Sequence, residues 1–136
     1  MAVGVMRSLV HRAGLTHAFE VDSAGTGVRQ AGQPPNRHAL EAAARRGHDI
    51  ASLRSRPLTT SDIGRFSHPL AMERAHLAAM RALAPSVLAA RPRLFAAEDI
   101  ADPWGGGIRD YERALDLIEA GCVDLLAHLG VTLEQS

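Results

Sequence analysis

Asp102-Pro103-Trp104 is the segment of this chain whose residue types are best suited to chemistry. A residue before proline is driven towards extended backbone, so Asp102 is predicted to lie on a loop and not inside a helix. The three glycines at 105–107 give the segment behind it unusual backbone freedom. A carboxyl group on such a loop can close over a ligand and donate a proton to a leaving group. The same residue types also form ordinary surface turns, which the tripeptide alone does not exclude.

Ser23 and Trp104 each have a structural interpretation from the sequence alone. Ser23 lies in the segment Ser23-Ala24-Gly25-Thr26-Gly27 after a predicted strand, where its hydroxyl can close a turn. Trp104 can anchor its loop to the surface. No histidine lies near Ser23 in the sequence to activate it as a nucleophile.

The sequence lacks the complete motifs of nucleotide-binding and zinc sites. Gln30 occupies the third glycine position of a dinucleotide-binding fingerprint, and Gln33-Pro34 replaces the lysine and hydroxyl residue of a phosphate-binding loop. No two of the seven histidines have the spacing of a zinc ligand pair. Cys122 falls on the apolar stripe of the last predicted helix, which favours a buried, inert thiol over a nucleophile. The sequence therefore predicts neither a metal nor a cofactor.

Composition narrows the possible partners and location. The chain has 136 residues, of which 46% are hydrophobic and 22% charged, and this predicts a single globular domain over residues 1–136. A formal net charge of +0 provides no basic field to attract nucleic acid, and no apolar run approaches the length that spans a membrane. With one cysteine no intrachain disulfide can form, so a cytoplasmic location is predicted. The oligomeric state is left open.

The hydrophobic pattern predicts alternating helices and strands. Helices are expected over 2–13, 37–46, 61–65, 73–83 and 108–129, and short strands over 19–23, 70–72 and 94–95. Asn36 is a typical N-cap, and Gly14 and Gly47 are typical helix-ending glycines. Strands separated by helices predict an α/β fold, with a three-layer parallel sheet that has helices on both faces.

The start of the chain is unusual for such a fold. The first predicted helix begins at residue 1 or 2, and no Ser, Thr, Asp or Asn precedes it as a cap. A parallel α/β sheet normally begins with a buried strand that leads into its first helix. We therefore expect a chain that begins one element late, with the first, interior strand of the sheet missing.

Taken in order, a set of short motifs resembles the low-molecular-weight protein tyrosine phosphatases. The matching segments are Ala2-Val3-Gly4-Val5, Val21-Asp22-Ser23-Ala24-Gly25-Thr26-Gly27, Gly32-Gln33-Pro34-Pro35, Gly47-His48-Asp49-Ile50, Ser55-Arg56, Leu70-Ala71-Met72, Ala101-Asp102-Pro103-Trp104 and Tyr111-Glu112-Arg113-Ala114-Leu115-Asp116-Leu117-Ile118. They extend over essentially the whole chain. The Asp-Pro-aromatic and Ser-Ala-Gly-Thr motifs are the most specific of them.

The resemblance implies a two-step hydrolysis of phosphotyrosine, on a protein or as a small aryl phosphate. In that family a cysteine thiolate attacks phosphorus, while the arginine of the same Cys-x5-Arg loop holds the phosphate oxygens. Asp102 then matches the general acid that protonates the leaving phenolate. The same resemblance makes Trp104 a substrate-stacking residue at the entrance and Ser23 a residue that shapes the phosphate loop.

The chain departs from the family at the nucleophile. In the family the first strand and the Cys-x5-Arg loop come immediately before the segment that matches Met1-Ala2-Val3-Gly4, and neither is present in these 136 residues. Glu73 and His76 also replace the Asp and Asn that the family usually has there. Whether the chain is an enzyme is therefore open, and as these 136 residues it is predicted to be inactive.

Three interpretations remain. The first is a phosphatase whose sequence has lost its front, through a start assigned at an internal methionine. The second is a non-catalytic pseudophosphatase that binds a partner through the remaining surface. The third is an arsenate reductase on the same fold, which is the least favoured because that chemistry relays through additional cysteines and Cys122 is alone.

Overall fold

The structure is a computed structural model that describes residues 1–27 and 30–131. The elements of this part of the chain are the helices α1 (Ala2–Arg12), α2 (Arg37–Arg45), α3 (Thr60–Arg65), α4 (Arg74–Leu83) and α5 (Ile108–His128), and the strands β1 (Leu70–Ala71) and β2 (Arg93–Leu94). Short 3-10 turns lie at Thr16–Ala18 and Ser86–Leu88. The five predicted helices are all present, and each end lies within about two residues of its predicted position.

The helix ends follow the signals in the sequence. The side chain of Asn36 accepts a hydrogen bond of 2.8 Å from the backbone N–H of His38, so Asn36 caps α2 as predicted. Gly14 and Gly47 follow the ends of α1 and α2 with φ of 72° and 80°, a backbone conformation that favours glycine. No side chain caps the first turn of α1, which also agrees with the sequence.

The chain divides into two compact units, each of which is described by itself. The helical unit consists of Met1–Ser23, Gln33–Arg54 and Asp102–Ser136. In it α5 packs against both α1 and α2, and Val5, Ala42, Leu115 and Leu126 are completely buried. A side chain at Gly4 would overlap Ile50, so α1 makes a close approach there that only glycine allows.

A cluster of charges ties the end of α2 to α5 within the helical unit. Arg46 donates to the carboxylate of Glu112 over 2.6 Å and to the Glu112 backbone carbonyl over 3.0 Å. The same guanidinium lies 2.9 Å from Asp116 and 3.3 Å from Glu119. One half-buried arginine therefore serves three carboxylates on one face of α5.

The strand unit consists of Ala24–Gly32 and Ser55–Ala101. Its strands β1 and β2 are parallel, with Leu70 opposite Arg93 and Ala71 opposite Leu94. Ile63 of α3, Ala71 of β1 and Met80 of α4 form its buried core. Parallel strands joined by a helix make this an α/β fold, as the sequence predicts.

Two strand predictions need correction. Residues 19–23 do not form a strand, and the nearest bridge in the described part of the chain joins Gly25 to Pro57. Phe19 has extended backbone (φ −130°, ψ 131°), but an extended segment becomes a strand only when a neighbouring backbone pairs with it. The carbonyl of Val21 instead accepts a 2.7 Å hydrogen bond from Arg7. The later strand is Arg93–Leu94, one residue before its predicted position.

Candidate functional site

Asp102 lies on an exposed loop immediately before α5. The backbone N–H of Trp104 donates a hydrogen bond of 3.0 Å to Oδ1 of Asp102, which folds the tripeptide into a tight turn around Pro103. Both functional side chains face solvent, and the indole of Trp104 is 78% exposed. The loop therefore presents a carboxyl group and an aromatic ring together, as the sequence predicts.

The three glycines complete the loop and begin α5. Gly105 has φ of 85°, which favours glycine, and Gly106 donates a 2.8 Å hydrogen bond to the carbonyl of Pro103. Gly107 is the N-cap residue of α5, and its N–H donates over 3.0 Å to the Asp110 carboxylate. The backbone N–H of Asp110 donates in return to the carbonyl of Gly107 over 3.0 Å. This reciprocal pair fixes the point at which the loop becomes helix.

Electrostatic interactions locate Asp102 relative to two helix ends. Burial lowers the pKa of the Met1 amino group, and the negative charge of Asp102 raises it by a smaller amount. Burial raises the pKa of Tyr111 in the first turn of α5, and Asp102 raises it further. Asp102 is therefore within electrostatic range of the amino ends of both α1 and α5. Backbone N–H groups at a helix amino end favour an anion, which makes this a suitable place for a phosphate.

Ser23 is not brought into this arrangement. Its side chain is exposed, and its backbone N–H donates a 2.8 Å hydrogen bond to the carboxylate of Asp22. Over residues 1–27 and 30–131 no hydrogen bond or ion pair joins Ser23 to Asp102 or Trp104. Its proposed contact with a ligand stays a prediction.

Cys122 is buried, as predicted, with 1% of its surface exposed. Burial, together with the nearby charge of Glu119, raises the pKa of its thiol to about 12. A thiol in this state contains almost no thiolate at neutral pH, and thiolate is the nucleophilic form. Cys122 is therefore part of the core and not of the site.

Neither a candidate metal site nor a membrane-spanning helix is found in the described residues. In residues 1–27 and 30–131 no group of three or more His, Cys, Asp or Glu side chains could hold a metal ion. In the same residues no helix is both long enough and apolar enough to cross a membrane.

Sequence reasoning missed two residues that surround the loop. Asp110 stands three residues after Gly107, which is the spacing of a capping box and a signal that could have identified it. Tyr111 is 3% exposed and packs beside His38, with 5.8 Å between ring centres. The charge of Asp102 acts on Tyr111 through space, and no local pattern in the sequence indicates this interaction.

Comparison with known proteins gives one family. A sequence profile described as low molecular weight phosphotyrosine protein phosphatase matches residues 1–135. A low molecular weight protein-tyrosine-phosphatase of Streptomyces coelicolor is 36% identical over 139 residues, which cover 93% of this chain and 83% of the relative. The low molecular weight protein-tyrosine-phosphatase YfkJ of Bacillus subtilis is 28% identical over 136 residues, covering 95% of this chain and 86% of the relative.

Solved structures agree with the sequence comparison. The crystal structure of a protein tyrosine phosphatase from Entamoeba histolytica superimposes with a TM-score of 0.88 at 25% identity, covering 95% of this chain and 86% of that one. The fold of Wzb from Vibrio vulnificus matches with a TM-score of 0.83 at 24% identity, covering 93% and 87%.

Proposed function

Because the chain belongs to the low molecular weight phosphotyrosine protein phosphatase family, we propose that Asp102 is the general acid of a phosphotyrosine-hydrolysing site. The observation that supports this most directly is the position of Asp102, on an exposed loop within electrostatic range of the amino end of α1. A phosphate held at that helix end would lie close to the carboxyl group that must protonate its leaving oxygen.

The proposed reaction has two steps, and Asp102 acts in both. In the first step a thiolate attacks phosphorus, the bond from phosphorus to the tyrosyl oxygen breaks, and the Asp102 carboxyl gives its proton to that oxygen. In the second step the Asp102 carboxylate takes a proton from water as the water oxygen attacks phosphorus. The phosphorus–sulfur bond then breaks, which releases phosphate and the thiolate.

Trp104 is proposed to stack against the aromatic ring of the substrate. Its indole is 78% exposed and is tied to Asp102 by the backbone hydrogen bond within the turn. An exposed indole beside a general acid can select a flat aryl phosphate over an alkyl one. Ser23 is proposed to shape the phosphate loop, on the family resemblance alone.

The proposal requires a nucleophile that these 136 residues do not contain. Cys122 is the only cysteine, and burial with a pKa of about 12 makes it unfit for thiolate attack. The Cys-x5-Arg motif that would supply both the thiolate and the phosphate-binding arginine does not occur within these 136 residues. We therefore expect the 136-residue polypeptide, assayed by itself, to hydrolyse no aryl phosphate above the buffer rate.

The role of Asp102 can be tested by supplying the nucleophile. In a hybrid, the first strand and Cys-x5-Arg loop of an active relative are joined ahead of Met1. General acid catalysis contributes about 10²–10⁴-fold, so Asp102→Asn should slow hydrolysis of phenyl phosphate by that factor. The loss should be much smaller for p-nitrophenyl phosphate, whose leaving group is more acidic and needs less protonation.

The matched control is Asp124→Asn, which removes an exposed carboxylate from the far part of α5. It should leave both substrates unaffected. The comparison is made on kcat/KM, which reports the first step alone, because Asp102 also acts in the second step that both substrates share. Equal losses of kcat/KM for both substrates in Asp102→Asn, or no loss for either, would show that Asp102 is not the general acid.

The two alternative functions give different results in the same experiments. A pseudophosphatase would bind a partner through its remaining surface as the 136-residue chain, and Asp102→Ala would not weaken that binding. An arsenate reductase needs a relay of accessible thiols, and the burial of Cys122 argues against it. A cytoplasmic location is also proposed, since a single cysteine is compatible with a reducing compartment.

A further inference from the structure

We propose that Asp110 is a positioning residue that holds the Asp102-Trp104 loop in the geometry needed for proton transfer, an inference that rests on the function proposed for Asp102. Asp110 itself lies in the first turn of α5 and, among the described residues, makes no hydrogen bond to the tripeptide. It acts through the three glycines between them.

The Asp110 carboxylate makes two contacts with those glycines. Oδ2 accepts the hydrogen bond of 3.0 Å from Gly107. The same carboxylate fills the space beside Gly106, where an added Cβ would lie 2.9 Å from Cγ of Asp110 and would overlap Oδ2. Asp110 therefore determines where α5 starts, through Gly107, and how closely Gly106 approaches the first turn of that helix.

Two hydrogen bonds donated by backbone N–H groups extend this restraint on the loop from Gly106 to Asp102 and Trp104. Gly106 donates to Pro103, and Trp104 donates to Asp102. Trp104 is the one large apolar side chain of the loop 102–107, and because it is mostly exposed it does not replace this chain of polar contacts. Three consecutive glycines lose more backbone entropy on ordering than any other residues would, so the loop depends on these few contacts.

The fluorescence of Trp104 provides a direct readout, because Trp104 is the single tryptophan of the chain. Time-resolved anisotropy of the 136-residue protein measures how freely the indole and its loop move. Loss of the Asp110 contacts should raise the population of the open loop about fivefold in Asp110→Ala. Asp110→Asn keeps an oxygen acceptor for Gly107 and should restore most of the restraint.

Asn36→Ala is the control for general loss of a helix cap. Asn36 caps α2 in the same unit through a hydrogen bond of 2.8 Å, so its removal should lower stability by a similar amount. It should leave the Trp104 anisotropy unchanged. If Asn36→Ala loosened Trp104 as much as Asp110→Ala does, the effect would be general and the proposal would be wrong.

A second test compares Gly106 with Gly107, since a side chain would meet Asp110 only at Gly106. An added Cβ at Gly106 meets the Asp110 carboxylate, whereas at Gly107, with φ of −90°, it meets nothing within 4 Å. Gly106→Ala should therefore mobilise Trp104, and Gly107→Ala should not. In an Asp110→Ala background the added effect of Gly106→Ala should largely disappear, since the two changes disrupt one contact. Additive effects would overturn the proposal.

These measurements need no nucleophile, so they separate the two proposals. An unchanged anisotropy in Asp110→Ala would remove the positioning role and leave Asp102 as general acid untouched. In the hybrid described above, Asp110→Ala should reduce turnover of phenyl phosphate more than that of p-nitrophenyl phosphate. A mobilised Trp104 together with equal losses for both substrates would count against Asp102 and not against the structural link to Asp110.

Discussion

Asp62→Asn should destabilise the strand unit, and the size of the effect should depend on pH in a defined direction. Asp62 is almost buried, and its two oxygens accept hydrogen bonds from Arg56 over 2.9 and 3.1 Å. Oδ2 also accepts from the backbone N–H and the hydroxyl of Thr59, over 2.8 and 3.0 Å. These contacts hold the start of α3, which carries Ile63 into the core of the unit.

The magnitude follows from these contacts. Asparagine has one acceptor oxygen and no charge, so it loses the paired hydrogen bonds from Arg56 but can retain one from Thr59. Removing one partner of a fully buried pair costs about 3–5 kcal/mol. Arg56 is one-third exposed, and water can solvate its guanidinium in the variant. The expected loss at pH 7 is therefore about 1–3 kcal/mol in the free energy of unfolding.

The pH dependence follows from the pKa of Asp62. Arg56 first, and then Thr59, hold the pKa of this carboxyl below its usual range, although burial opposes them. A carboxyl with a lowered pKa in the folded state stabilises the fold above its unfolded pKa, near pH 4. That contribution is lost as the pH falls through the folded pKa. The difference between wild type and variant should therefore be constant above about pH 5 and shrink below about pH 4.

Urea unfolding followed by far-ultraviolet circular dichroism at pH 7, 5, 4 and 3 measures this difference. Glu98→Gln, which removes an exposed carboxylate from the same unit, should show no loss at any pH. A difference for Asp62→Asn that is as large at pH 3 as at pH 7 would refute the electrostatic explanation. No difference at pH 7 would refute the role of the contacts altogether.

Two further predictions concern the helical unit. Cys122 should react with iodoacetamide at neutral pH only when urea unfolds the chain, because burial blocks access to the thiol and, together with the Glu119 charge, raises its pKa to about 12. Mass spectrometry measures the alkylation, and rapid alkylation of the folded protein would contradict this prediction. Gly4→Ala should lower the free energy of unfolding by about 1–3 kcal/mol, since its Cβ would overlap Ile50. Alanine in a helix interior otherwise stabilises by about 1 kcal/mol, so a urea midpoint that rises in Gly4→Ala would show that α1 does not make this close approach.

Local sequence signals predicted the helices well. Asn36 caps α2, and Gly14 and Gly47 follow the helix ends, because each of these roles depends only on a residue and its near neighbours. The prediction of a strand at 19–23 was wrong because a strand depends on a partner segment elsewhere in the chain and not on near neighbours. Alternating side chains show that a segment can be extended, but only a neighbouring backbone makes it a strand.

The candidate site was predictable in part. The family was recognisable from ordered motifs, and the profile match over residues 1–135 confirms it. The loop position of Asp102 follows from the proline after it, and the hydrogen bond from Trp104 to Asp102 is formed within three residues, whereas the roles of both residues stay predictions. The electrostatic link from Asp102 to α1 and to Tyr111 joins distant parts of the sequence, and no local pattern contains that information.

Arg46 limits how parts of this protein can be exchanged with those of its relatives. Glu112, Asp116 and Glu119 lie on one face of α5, and each carboxylate is within 3.3 Å of the Arg46 guanidinium that follows α2. If a chimaera replaced Arg46 with an uncharged residue, the three carboxylates would lose the guanidinium they share, and Asp116 would lose its ion pair altogether. Glu112 would keep the more distant Arg45, at 4.0 Å, and Glu119 would keep its contact with His48. If a chimaera took α5 alone, a half-buried guanidinium would lose its partners. A graft that keeps these ion pairs must therefore move the segment 37–46 together with α5.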